Sequence, residues 1–164
     1  MNTILHSFSR GRSNRLLTDH VIDATKEFLN GTEKTFWHFG NTSAIATDSG
    51  DFLVQLFENP ILRLSCDKSG VIKTVHIYAG NYYDKYGNPT DLTRERLNGL
   101  LCYLGLEGII PQDVRVWYDR INGLCYVIRY EEKMVLNRDY CTMVSIKAIP
   151  DRLVFDDAET VVMP

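Results

Sequence analysis

The closest thing to a catalytic set in this sequence is Asp119 followed by Glu131-Glu132-Lys133. Metal-dependent nucleases of the restriction type place an Asp and then Glu-x-Lys at the end of a hairpin, where carboxylates hold Mg²⁺ and activate water. A charged hairpin turn uses the same residue types. Register separates the two readings. If Asn122-Gly123 is a two-residue turn, Ile121 faces Leu124, Asp119 faces Tyr126, Trp117 faces Ile128 and Arg115 faces Tyr130. Glu131 then falls about four residues, roughly 13 Å along the strands, from Asp119. One ion cannot bridge that gap. His6, His20, His38 and His76 are scattered and match no H-x-H or H-E-x-x-H spacing, and no G-x-S-x-G or phosphate-cradling glycine loop occurs. No catalytic residue, metal ligand or cofactor is expected.

Three groups of residues have the chemistry of binding instead. The same register puts Arg115, Trp117, Asp119, Tyr126, Ile128 and Tyr130 on one face of the hairpin, and Val116, Tyr118, Cys125, Val127 and Arg129 on the other. The second face reads as core. The first has the composition that stacks bases or anchors a protein partner; a second packed face, covered by the first helix, is the commoner use of aromatics on strands. The segment Asn81-Tyr82-Tyr83-Asp84-Lys85-Tyr86-Gly87 is the second group. Tyrosines in a Gly/Asn-rich loop give rigid, amphipathic contact area at low entropic cost. The third is the polar side of the helix that follows, where Arg94, Glu95 and Asn98 are expected to be solvated and Arg96 to pair with a nearby acid. The candidate binding residues are therefore Tyr82, Tyr83, Tyr86, Arg94, Arg115, Trp117, Tyr126 and Tyr130.

The elements that must position these groups follow from periodicity. Leu16, Leu17, His20, Val21, Ala24, Phe28 and Leu29 recur at helical spacing, with Ser13 or Thr18 as cap and Asn30-Gly31 as stop. From 35 to 79, short apolar runs alternate with the turns Asp48-Ser49-Gly50-Asp51, Glu58-Asn59-Pro60 and Asp67-Lys68-Ser69-Gly70, which predicts four antiparallel strands. A second helix opens after Pro89 with Thr90 as cap and Asp91 at the positive end of its dipole. Leu97, Leu100, Leu101 and Leu104 line its core face, and Gly105 with Leu106 suits a Schellman ending. A second meander spans 113–148. The expectation is an α+β fold in one compact domain: two antiparallel β-meanders, one helix before the first and one between them. A polar basic arm (1–15) precedes the domain (16–150), and an acidic tail (151–164) follows it.

The chain has 164 residues, 45% hydrophobic and 24% charged, enough for one core without metal or disulfide support. Its net charge of −3 gives generic phosphate-backbone binding no global support. Cys66, Cys102, Cys125 and Cys141 each sit in an apolar segment with no C-x-x-C pair, which reads as buried free thiols in a reducing cytoplasm. No run approaches the roughly 20 apolar residues that span a bilayer, and the N-terminus lacks a signal-peptide core, so no membrane association is expected.

Residues 71–105, VIKTVHIYAGNYYDKYGNPTDLTRERLNGLLCYLG, resemble a recurring pattern in small uncharacterised bacteriophage proteins, in which short strands precede a T-x-x-R-L-N-x-L helix. Here that motif is Thr93, Arg96, Leu97, Asn98 and Leu100. The resemblance implies an accessory protein of the infected bacterial cytoplasm that binds and inhibits a host component. The functional expectation is a non-enzymatic interaction protein with a host protein as partner. A nucleic-acid-binding protein or a metal-dependent nuclease is the alternative, the first disfavoured by net charge.

Overall fold

The computed structural model describes residues 12–156. In chain order they form α1 (Arg12–Leu29), β1 (Phe36–Phe39), β2 (Thr42–Ala46), β3 (Phe52–Leu56), β4 (Asn59–Cys66), β5 (Ile72–Tyr78), α2 (Asp91–Leu106), β6 (Arg115–Asp119), β7 (Leu124–Arg129), β8 (Glu132–Val135) and β9 (Met143–Lys147). This is a single α+β domain with two antiparallel sheets, one of six strands in the order β1-β2-β3-β4-β5-β9 and one of three, β6-β7-β8.

Helix α1 begins upstream of both expected caps, so Ser13 and Thr18 lie inside it and the arm boundary at 15 is not a structural one. Residues 1–11 lie outside the described residues. Its end is as expected: Gly31 has φ +87 and its N–H donates to the Phe28 carbonyl at 3.1 Å.

The first meander has five strands, not four, because Gly40-Asn41 makes a hairpin that no turn-rich stretch announces. The β3–β4 hairpin turns at Phe57-Glu58, both with positive φ, rather than at Glu58-Asn59-Pro60. One residue from each strand, Trp37, Ala44, Val54, Leu62, Ile77 and Val144, lies in a continuous row across the six-stranded sheet, and all six are buried. That row is the floor of the core. Each side chain of its size contributes about 1.5–3 kcal/mol when fully buried, Ala44 excepted.

Helix α2 keeps its expected start, with the Thr90 hydroxyl accepting from the Thr93 N–H. Leu97, Leu100, Leu101 and Leu104 are buried as the stripe predicts, but so are Thr93, Glu95 and Arg96. The helix is enclosed because α1 packs on one side and β6 on another. Gly99 is what lets α1 approach, since a Cβ there would sit 2.3 Å from the Thr18 Cγ2. The Schellman ending is displaced from Gly105 to Gly108: Gly108 has φ +72, the Ile109 N–H donates to the Leu104 carbonyl and the Gly108 N–H to the Gly105 carbonyl. Gly105 is small for packing instead, as a Cβ there would meet the Gln112 Cα at 3.2 Å.

The second meander breaks up. Strand β9 leaves it and pairs with β5 of the large sheet. The stretch expected to start an acidic tail folds back along the free edge of β9: Phe155 bridges Ile146, the Lys147 N–H donates to the Val154 carbonyl, and Leu153 is buried. Residues 157–164 lie outside the described residues. Among the described residues no helix is long and apolar enough to cross a membrane. Cys125 and Cys141 are buried and Cys66 half-buried, whereas Cys102 is exposed, because it falls on the solvent side of α2. Burial pushes the Cys125 thiol up to about 11, with Arg94 opposing the shift.

Candidate functional site

The hairpin register differs from the two-residue-turn expectation. Asp119 pairs with Leu124, Trp117 with Tyr126 and Arg115 with Ile128, so the loop has four residues, 120–123. Side chains hold it in that form: the Asp119 carboxylate accepts from the Ile121 N–H at 2.9 Å, and the Asn122 Oδ1 accepts from the Leu124 N–H at 3.0 Å. Only Gly123 of the Asn-Gly pair has positive φ, so a type I′ turn does not form. Pairing shifts by two residues, which preserves the faces. Val116, Cys125 and Val127 do point to the core.

The opposite face is not covered by α1, which packs on β1, β2, β3 and α2. On it, Arg115 is exposed and Trp117 is 39% exposed, but Tyr126 is buried. Trp117 and Val135 flank Tyr126 in register, the Lys133 Nζ lies 4.4 Å from its ring centroid, and the Asn122 amide donates to its hydroxyl at 2.6 Å. Tyr126 therefore offers no open ring for stacking. Tyr130 is off the strand altogether, at the β7–β8 turn with φ +55, beside Arg129 and donating to Asp113.

The nuclease set separates further than expected. Asp119 pairs with Leu124 while Glu131 lies beyond the Arg129–Glu132 pair. That is five residues or more, roughly 16 Å along the strands. Lys133 is over Tyr126, and no group of three His, Cys, Asp or Glu is placed to hold a metal among the described residues.

Helix α2 does not present a solvated polar face. The Asn98 amide donates to the Val116 carbonyl at 3.1 Å and accepts from the Val116 N–H at 2.7 Å, so it closes the free edge of β6 as a strand would. Arg96 is 0% exposed and acts as a hub. Its Nε donates to the Thr42 hydroxyl at 2.9 Å, Nη1 to the Thr18 hydroxyl at 2.8 Å and to Glu95 at 3.3 Å, and Nη2 to the Asn41 side chain at 3.3 Å. The expected acid partner is thus its own neighbour, Glu95. Arg94 bonds the Pro89 carbonyl and Asp91, and its guanidinium lies 5.4 Å from the Tyr118 ring centroid.

What the structure brings together is a different set. A cleft of about 440 Å³ is lined by Tyr86, Tyr118, Arg120, Ile121, Asn122, Gly123, Leu124 and Tyr140. Tyr86 and Tyr140 are exposed, and Ile121, at the hairpin tip, is 97% exposed. Tyr82 and Tyr83 do not line it: Tyr82 packs against Phe57 and Tyr83 lies under Arg138.

The walls are fixed by two buried asparagines. The Asn137 amide donates to Asn88 Oδ1 at 2.6 Å and to the Tyr86 carbonyl at 3.1 Å. The Asn88 amide donates to the Gly123 carbonyl at 2.6 Å, and its Oδ1 accepts from the Cys125 N–H at 3.1 Å. Both side chains are fully buried, so each bond removes a desolvation cost as well as making a contact. One asparagine pair ties the tyrosine loop, the β6–β7 hairpin and the Tyr140 loop into one body. Gly87 is required at the junction, with φ +87 and only 2.9 Å from its Cβ position to Asn137 Oδ1 and Asp139 Oδ2.

Sequence reasoning named Tyr86 and missed Tyr118, Tyr140 and Ile121. Tyr118 was placed in the core by alternation, but it is the last inward residue before the strand leaves the core. A further polar cluster lies on the six-stranded sheet, where the two ring nitrogens of His76 bond the Ser65 and Ser145 hydroxyls at 2.8 and 2.6 Å across three strands. Comparison with family models, curated proteins and solved structures finds no match to this chain.

Proposed function

We propose that this protein is a non-enzymatic interaction module that engages a protein partner through the aromatic end of the β6–β7 hairpin. The observation that carries the reading is the gathering of exposed apolar and aromatic side chains, Tyr86, Ile121 and Tyr140, on loops cross-tied by Asn88 and Asn137. Large apolar side chains held rigidly at a surface lose little entropy on binding, and interface anchors are rich in aromatic residues. Ile121, 97% exposed at the hairpin tip, shares its surface with exposed Tyr86 and Tyr140, and contiguous exposed apolar side chains mark interaction sites as single ones do not.

The resemblance of residues 71–105 to small bacteriophage proteins is what supports reading the partner as a bacterial protein and the action as inhibition of a host component. The nucleic-acid alternative retains Trp117 and Arg115, loses Tyr126 to burial and has Tyr130 exposed but off the strand, in a chain of net charge −3. The test is affinity capture from bacterial lysate by the wild type and by Ile121→Asp, with unfolding midpoints measured on both. The proposal expects a captured protein that Ile121→Asp loses at unchanged stability. Equal capture by both forms contradicts it.

A further inference from the structure

Strands β1 and β9 lie at the edges of the large sheet, and β6 and β8 at those of the small one. An edge presents unpaired N–H and C=O groups that a further strand can take up, and proteins blunt such edges by covering or charging them. Three of these are blunted. The Lys147 N–H donates to the Val154 carbonyl at 2.9 Å and the Asp156 N–H to the Ser145 carbonyl at 2.7 Å, so the returning chain covers β9. The Asn98 amide holds both backbone groups of Val116 on β6. Strand β8 carries Glu132 and Lys133. Strand β1 reads Phe-Trp-His-Phe, with no charge and no proline, and residues 30–36 leading into it are all exposed. We propose that this edge pairs antiparallel with the β1 edge of a second copy of the chain, forming a two-fold dimer through one continuous sheet.

The hydrogen-bond pattern sets the register. The Ala46 N–H donates to the Thr35 carbonyl at 2.9 Å, and Trp37 and Phe39 pair with Ala44 and Thr42 in the same phase. Bonding alternates along an antiparallel strand, so the N–H and C=O of Phe36 and His38 point away from β2, off the edge of the sheet. Among the described residues nothing bonds them. With Trp37 on the two-fold axis, Phe36 of each copy faces His38 of the other and the two exchange both backbone bonds. Centring the axis on Phe36 or on His38 would leave one outward residue of each strand facing Lys34 or Gly40, beyond the strand. The Trp37 register also sets Lys34 against Gly40 and Glu33 against Asn41, so no like charges meet.

The side chains suit that pairing. Trp37 is 2% exposed under α1, whereas Phe36 is 53% exposed and His38 is exposed on the opposite, helix-free face. The Phe36 and His38 rings already stack within one chain, 6.2 Å apart and 16° from parallel. Cross-strand pairing brings the second copy's two rings against them, and apolar or aromatic cross-strand pairs are what stabilise a sheet. Each copy has one open edge of this kind, so association closes at two copies and does not propagate.

The experiment follows the full chain by sedimentation velocity as its concentration is raised, and by hydrogen exchange at the same concentrations. One short strand pair is a small interface, so a reversible dimer is expected in the micromolar to millimolar range and no larger species. The Phe36 and His38 amides are expected to exchange more slowly as the dimer forms. His38→Pro removes an N–H that has no partner within the chain, so it should leave the unfolding midpoint unchanged while weakening dimerisation at least roughly tenfold. Phe36→Lys, which puts a charge on the edge, should do the same, and Ile121→Asp at the aromatic end should leave the dimer intact. A monomer at all concentrations up to about 1 mM, open-ended association, amides of Phe36 and His38 that exchange equally fast in the dimer, or a dimer that survives both edge substitutions overturns the inference.

Discussion

Two buried polar clusters hold this molecule together, and they differ in what they leave outside. Around Arg96, side chains from α1, α2, the β1–β2 turn and β2 close on a guanidinium with no exposure, and of that cluster only Asn41 is partly exposed. Around Asn88 and Asn137 the polar atoms are equally buried, but the loops they tie together end in exposed Tyr86, Tyr140 and Ile121. The first cluster fixes how layers stack. The second fixes how a surface is shaped. The lesson is that buried polar groups mark a functional site by what they position at the surface more than by being buried.

The contrast can be broken experimentally. Arg96→Met removes the centre of the first cluster and leaves Glu95 in a buried site, so it should cost about 3–5 kcal/mol by urea unfolding. A loss under about 1 kcal/mol would mean that the hub adds little beyond its volume. Asn137→Ala removes donors to Asn88 and the Tyr86 carbonyl, and should cost about 1–3 kcal/mol. Its effect on partner capture should exceed its effect on global stability, whereas Arg96→Met should abolish capture only as it unfolds the chain.

Cysteine chemistry sharpens the same map with a smaller effect. Alkylation of the native protein near neutral pH should modify Cys102 first and Cys125 last, read by peptide mass. Because the folded-state pKa of Cys125 is raised from 9.0 to about 11, its neutral thiol favours the fold below about pH 9, and that contribution falls as pH rises from 9 through 11. Replacing Cys125 with alanine should therefore flatten the stability profile in that window. Smallest of all, Tyr140→Ala should change stability by less than about 0.5 kcal/mol, since the residue is exposed and lies outside both clusters.

The sequence made the scaffold legible where local and global signals coincide. Thr90, Asp91 and the leucine stripe of α2 could be read because capping, dipole and period agree at those positions. The hairpin faces were read correctly from a wrong register, because a slip of two residues leaves each side chain on its face. What stayed hidden was set by contacts between distant residues. Glu95 and Asn98 look like solvated helix positions until α1 and β6 pack on the helix, which no periodicity shows. Asn88 and Asn137 stand 49 residues apart, and each alone is an ordinary turn residue. The departure of β9 to the large sheet is likewise a choice between edges, not a property of its five residues.

The central claim is that the aromatic end is shaped in advance by the Asn88–Asn137 tie. Native-state hydrogen exchange of the free protein measures this directly. The amides of Cys125, Arg138 and Cys141, which donate to Asn88 Oδ1, the Gly87 carbonyl and the Asn137 carbonyl, should exchange as slowly as those of β3 and β4. In Asn137→Ala they should speed up while β3 and β4 remain protected. Fast exchange at these three amides in the wild type would show that the cleft is formed only on binding, and would contradict the account.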